Sequence, residues 1–161
     1  IDTLTLPAYL QSAYANFTLS GNQIYTICTY GNNLNSSIAE AAAIPKFDLA
    51  GNVIHQQVLT NPPSINFRSQ DIYVLPNTNI IATYLTNDMM TNWTLHVDCY
   101  DSSLAPKWNQ TFAWPSYSST AIPGTFDADD HFYISYTTDS IAGGNYYRKM
   151  FLHQIDSLIN S

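Results

Sequence analysis

The chain has 161 residues, the size of one ordinary domain, with 45% hydrophobic and 14% aromatic residues, enough to build a core. Charged residues make up only 11%, and five Lys and Arg stand against twelve Asp and Glu, for a net charge of −7. That balance excludes a nucleic-acid partner held by phosphate neutralisation and argues against an anionic membrane surface, and no apolar run approaches the ~20 residues of a membrane-spanning helix.

The polar surface must be built from Asn, Ser, Thr, Gln and the twelve Tyr, a palette common on extracellular β proteins. The sequence opens at Ile1 with neither Met nor signal peptide, so we expect a processed product or a piece of a longer one. Residues 1–12, "IDTLTLPAYLQS", read as an outer strand. Next, "FTLSGNQIYTICTY" (residues 17–30) reads as a short strand, a polar turn and a longer strand. The best helical candidate is "SSIAEAAAI" (residues 36–44), a Ser before an alanine run cut by Pro45, good for one or two turns. "PKFDLAGNVI" then gives a strand ending at Asp48, and "NVIHQQVL" (residues 52–59) another strand.

The same order recurs twice. "IYVLPNTNIIATYLT" (residues 72–86) and "GTFDADDHFYISYTT" (residues 124–138) repeat the first hairpin, with Ile24, Ile80 and Phe132 following one another at 56 and 52 residues. "LHVDCYDSSLAPKW" from Leu95 and "FLHQIDSLI" from Phe151 repeat the strand ending at an acid, with Asp48, Asp101 and Asp156 at 53 and 55 residues. Two columns agree on a period near 54, the signature of a repeat architecture. Repeat one is expected over 13–60, repeat two over 61–115 and repeat three over 116–161. "KWNQTFAW" (residues 107–114) is the fourth strand of the second repeat; the third has no such strand, and the strand at the start of the chain is the missing kind.

Four short strands in each repeat resemble a propeller blade. "VLPNTNIIATYLTND" resembles the first hairpin of secreted β-propeller repeats, and "KFDLAGNVI" and "CYDSSLAPKWNQTF" resemble their second, although the turn glycines survive only at Gly21 and Gly51 and the Trp only at Trp108. The resemblance implies an all-β fold of about three propeller-blade-like antiparallel sheets of up to four strands, and says little about chemistry. Three blades fall short of a ring of four to eight. Pairing of two chains, membership of a longer propeller, an open solenoid and a sandwich remain open. So do closure within one chain and addition of residues 2–6 to the third sheet of a neighbouring molecule.

Candidate sites are few. "DADD" places Asp127, Asp129 and Asp130 in a short loop, which suggests calcium; the aligned turns "LSGN" and "LPNTN" are neutral, so chain reversal is the shared role. Four sequons stand at Asn16, Asn35, Asn92 and Asn109, about as many as this Asn-, Ser- and Thr-rich composition yields by chance, and at least two are expected to carry N-linked glycans in a secretory setting. Cys28 and Cys99 are either a disulfide or two buried thiols. His55, His96, His131 and His153 form no local ligand pattern; His96 and His153 lie in corresponding strands and are expected on neighbouring sheets. Alternation puts the column Cys28, Tyr84, Tyr136 and the column Tyr25, Ile81, Tyr133 on opposite faces, as suits sheets packed on both sides. Trp93, Trp108 and Trp114 serve packing or carbohydrate binding. No nucleophile elbow, phosphate loop or Cys–His pair occurs. These features lead us to expect a non-enzymatic, secreted, extracellular glycoprotein, a structural subunit of a filament or surface assembly built by strand complementation, without a cofactor. A carbohydrate- or protein-binding propeller module and a fragment of a larger secreted propeller enzyme are the alternatives.

Overall fold

The computed structural model describes residues 11–31, 41–59, 66–87, 93–114, 124–142 and 145–155. These residues form three antiparallel sheets and no helix, so no helix among them is long and apolar enough to cross a membrane. The first sheet comprises β1 (Gln11–Ser20), β2 (Gln23–Gly31), β3 (Ala41–Asp48) and β4 (Val53–Leu59). The second comprises β5 (Asn66–Val74), β6 (Ile80–Asn87), β7 (Trp93–Tyr100) and β8 (Pro106–Trp114). The third comprises β9 (Gly124–Phe126), β10 (Phe132–Ala142) and β11 (Asn145–Ile155). Within each sheet, every strand pairs with its neighbours in sequence. The all-β, antiparallel expectation therefore holds; none of the sheets closes on itself.

Two expectations change. Residues 41–44 of the helical candidate belong to β3, where Ala42 and Ile44 are fully buried against the second sheet; residues 36–40 lie outside the described residues. Alanine's helix preference is worth less than 1 kcal/mol per residue, whereas a fully buried Ile contributes roughly 1.5–3 kcal/mol, so packing wins. Pro45 is tolerated within β3 because β2 makes no pair with it. Residues 1–10 of the expected outer strand lie outside the described residues, while Gln11 and Ser12 pair with Gly31 and Tyr30 as part of β1.

The hairpin turns explain the spacing. Ser20 pairs with Gln23 around Gly21, whose φ of +56° fits the first central position of a two-residue type II′ turn. Four other turns share one construction. The residue that opens each, Asp48, Leu75, Asp101 or Asp127, donates its N–H to the carbonyl four residues on, and its own carbonyl accepts the N–H three residues on. The residue making that second bond is left-handed each time: Gly51 (φ +89°), Thr78 (+69°), Leu104 (+68°) and Asp130 (+65°). This is the three-residue hairpin loop, a type I turn closed by a left-handed residue. The loop "DADDH" is therefore one of four copies of a turn.

Register makes the three sheets equivalent. Ile24 pairs with Leu19 and Phe47, Ile80 with Val74 and Tyr100, and Phe132 with Phe126 and Ile155. Alternation then gives each sheet two faces. Tyr25, Ile27, Ala42 and Ile44 of the first sheet pack on Ile72, Ile80, Ala82 and Tyr84 of the second. The opposite face of the second sheet, with Ile81, Leu85, Leu95 and Val97, packs on Phe132, Ile134 and Ile155 of the third. The sheets thus stack in one direction, the Tyr25-type face of each meeting the Ile80-type face of the next.

Polar ties set the alignment of the stack. Lys46 Nζ donates to Ser102 O at 2.7 Å and lies over the Tyr25 ring, while Tyr25 Oη donates to the same carbonyl. Between the second and third sheets, Gly124 N–H donates to Tyr73 Oη at 2.8 Å, and Asn77 N–H donates to Asp130 Oδ1. Each bond is worth about 1 kcal/mol net, so the apolar faces hold the sheets together and the ties fix how they sit.

Candidate functional site

The most chemically dense exposed feature is the turn between β9 and β10. Asp127 Oδ1 accepts the N–H groups of Asp129 and His131, at 2.9 and 3.0 Å. Its Oδ2 accepts the Tyr133 hydroxyl at 3.0 Å and lies 2.9 Å from His131 Nδ1, which donates to the ionised carboxylate. Burial opposes ionisation of Asp127 but is outweighed by the bonds from the His131 side chain and backbone, Tyr133 and Asp129, and the carboxyl is held at about 2. Asp48 and Asp101 use the same device: Asp48 accepts from Asn52 N–H and Nδ2, and Asp101 from the N–H groups of Ser103 and Ala105 and the Ser103 hydroxyl.

Of the three acids expected to act together, two do. Ligand atoms of Asp127, Asp129 and His131 lie within 4.8 Å of one another. Asp130 is turned away to the second sheet, where it accepts from Asn77. One imidazole and two carboxylates do not make the six to eight oxygens that calcium takes; the set is nearer to what a transition metal accepts. The oxygens of Asp127 are already engaged within the loop, so the geometry serves the turn first. His131 was missed as the partner of Asp127; its signal is its place four residues on, across a three-residue turn.

A second cluster is buried between the first and second sheets, and no motif pointed to it. Tyr84 and Tyr100 both donate to Asp98 Oδ2, at 2.8 and 3.1 Å. His96 stacks on Tyr84, with ring centroids 4.6 Å apart, and its Nε2 lies 2.8 Å from Thr86 Oγ1. Burial raises the Asp98 carboxyl despite those two donors, and burial lowers the His96 imidazole despite Asp98. Burial and Asp98 together push both tyrosines far above their ordinary value. The groups satisfy one another, as a buried polar network must. Beside it, Asp98, Tyr100, Pro106, Lys107, Trp108 and Asn109 line a surface groove of about 210 Å³ between β7 and β8. The sequence signal was the alternation His96, Asp98, Tyr100 on one strand face.

The remaining candidates stay apart. Asn16 lies within β1 and Asn109 on β8, both exposed; Asn35 and Asn92 lie outside the described residues. Cys28 and Cys99 are not bonded to each other, which corrects the disulfide alternative. Cys28 is on the face of the first sheet turned away from the second, and Cys99 faces the third, so the intervening sheets keep them apart. Burial pushes the Cys99 thiol up to about 12. His96 and His153 sit in corresponding strands of neighbouring sheets, on opposite sides of the second sheet, so they cannot share a metal; His153 packs on Phe112 and Phe151. His55 is exposed on β4. Trp93 and Trp108 pack against the second apolar cluster; the Trp114 and Tyr136 side chains lie outside what is described. Comparison with protein-family models, curated proteins and solved structures gives no match.

Proposed function

We propose that the chain is a non-enzymatic secreted glycoprotein, a structural subunit that joins copies of itself into an extracellular filament or surface layer by β-strand complementation. The observation that carries this reading is the unequal width of the sheets. The first two have four strands; the third, among the described residues, has three, and the position that β4 and β8 hold in the other two lies beside β11. A sheet edge is a template on which a further strand can pair. A strand from another copy adds at that position through main-chain bonds, as in other strand-addition systems. Residues 2–6 are the donor suggested by the sequence; they lie outside the described residues. The low charge and the exposed sequons at Asn16 and Asn109 support the secreted, glycosylated part of the reading. The mutual satisfaction of Asp98, His96 and the two tyrosines favours a structural over a catalytic role for the densest buried polar group.

The test is deletion of residues 1–7. Light scattering of the deleted chain is expected to give the single-chain mass where the full chain gives a larger one, with the far-ultraviolet β signal retained. An unchanged particle size after the deletion refutes strand exchange. Intact mass of the native product then counts its glycans directly.

A further inference from the structure

One atom of the Asp98 network is left facing the groove beside it. In the pairing of β7 and β8, Asp98 stands opposite Asn109 and Tyr100 opposite Pro106, so these four lining side chains share one sheet face. Lys107 is the extra residue where the register shifts, between Pro106 and Trp108. Both tyrosine hydroxyls donate to Asp98 Oδ2, and among the described residues Oδ1 accepts no hydrogen bond. The one sealed side-chain atom without a partner among those residues is Asn87 Oδ1, so Asp98 Oδ1 is reachable from the groove. A half-buried carboxylate oxygen without a donor gains from one that is brought to it. Directly across from it, Asn109 opens the sequon Asn109-Gln110-Thr111 on β8, which among the described residues is the edge strand of the second sheet. The Asn109 side chain is exposed, and its amide makes no hydrogen bond among the described residues.

From this we infer that Asn109 carries an N-linked glycan whose first sugar ring folds back into the groove, donating to Asp98 Oδ1 and packing against Pro106 and Tyr100. The occupant is the chain's own glycan because the attachment atom, Asn109 Nδ2, belongs to a residue that lines the groove. That tether holds the first ring beside the groove at a high effective concentration. At about 210 Å³ the groove is smaller than the roughly 300–1,000 Å³ that takes a drug-sized ligand, which suits a single ring. An N-acetylated sugar is neutral and brings N–H and O–H donors together with a carbonyl acceptor, a match for a carboxylate oxygen set beside the Lys107 ammonium. In the attachment, the Asn109 amide nitrogen displaces the lipid diphosphate from the anomeric carbon of a lipid-linked oligosaccharide. A C–N bond forms, a C–O bond breaks, the amide loses one proton, and nothing is oxidised or reduced. This inference rests on the glycosylated part of the reading above, and on neither its strand exchange nor its assembly.

The experiment secretes the full chain from a eukaryotic host, maps its glycopeptides and trims each glycan with an endoglycosidase to its first N-acetylglucosamine. A glycan is expected on Asn109, and the trimmed protein is expected to show nuclear Overhauser contacts between that sugar and Pro106 or Tyr100. Its thermal midpoint should exceed those of Asn109→Gln and Thr111→Ala by about 2–4 °C, the effect of one net hydrogen bond in a chain of this size. The two variants remove the sugar through different side chains, so equal midpoints assign the shift to the sugar, and either variant serves alone if the other does not fold. Glycans at other sequons with Asn109 bare overturn the inference and leave the glycoprotein reading standing. A chain with no glycan at all overturns both. A sugar on Asn109 that makes no contact with Pro106 or Tyr100 and leaves the midpoint equal to that of the variants overturns the inference alone.

Discussion

Thr78 holds a left-handed backbone at an exposed turn with a β-branched side chain, the residue type least suited to it. The equivalent residues have compensations. Gly51 has no Cβ. Leu104 buries its side chain between the first two sheets, worth roughly 1.5–3 kcal/mol against the 1–2 kcal/mol of the left-handed backbone. Asp130 accepts a bond from Asn77. Thr78→Gly is therefore expected to stabilise the protein by about 1 kcal/mol, raising the thermal midpoint by roughly 2–4 °C for a chain of this size; a fall in the midpoint contradicts the strain. Asp127 gives a pH signature. Its folded value, about 2, lies below the ordinary 3.8, so the stabilisation it supplies is present above 3.8 and is lost as the pH falls through 2. Asp127→Asn should lower the midpoint at neutral pH, and the gap from the unmodified protein should narrow between pH 4 and 2. A gap independent of pH means that the charge is idle.

At the level of strands, β9 is only three residues long and is held by close approach rather than by length. A Cβ built on Gly124 would stand 2.5 Å from the Phe132 ring and 2.9 Å from the Tyr73 ring. Those rings pack at 5.0 Å. Gly124→Ala must push them apart, and overpacking of this kind is expected to destabilise by about 1–3 kcal/mol, read by urea unfolding; an unchanged midpoint would show that β9 is loosely docked. The hairpins themselves were legible in the sequence, because Gly21, Gly51 and the Asp- and Asn-rich turns punctuate runs of Ile, Tyr and Thr whose spacing repeats. The alanine run misled because Ala42 and Ile44 answer to the facing sheet rather than to their own propensity. Of the Asp98 network only the alternation His96, Asp98, Tyr100 on β7 was legible, since Tyr84 and Thr86 come from β6 and meet it only through the pairing register. That Asp130 stands apart from Asp127 and Asp129 was not legible for a similar reason: its side chain accepts from Asn77, 53 residues away.

Across the whole molecule, a stack with one direction makes equivalent residues unequal only by position. Leu95 and Met150 occupy the same place in their sheets, yet Leu95 is sealed beneath the third sheet and Met150 stands in the open. The period near 54 could reveal that the two correspond, but not that one has a neighbour above it and the other does not. The difference has a thermodynamic consequence. Leu95→Ala empties a packed site and is expected to cost about 2–5 kcal/mol. Met150→Ala, in dilute protein where chains are apart, should change stability by less than about 0.5 kcal/mol. Paired urea titrations of the two variants compare the terms directly. A large effect at Met150 at low concentration would mean that its face is covered within one chain, and the stack would then be closed rather than open. A small effect that grows with protein concentration would mean instead that the cover comes from a second chain, because only an intermolecular contact depends on concentration.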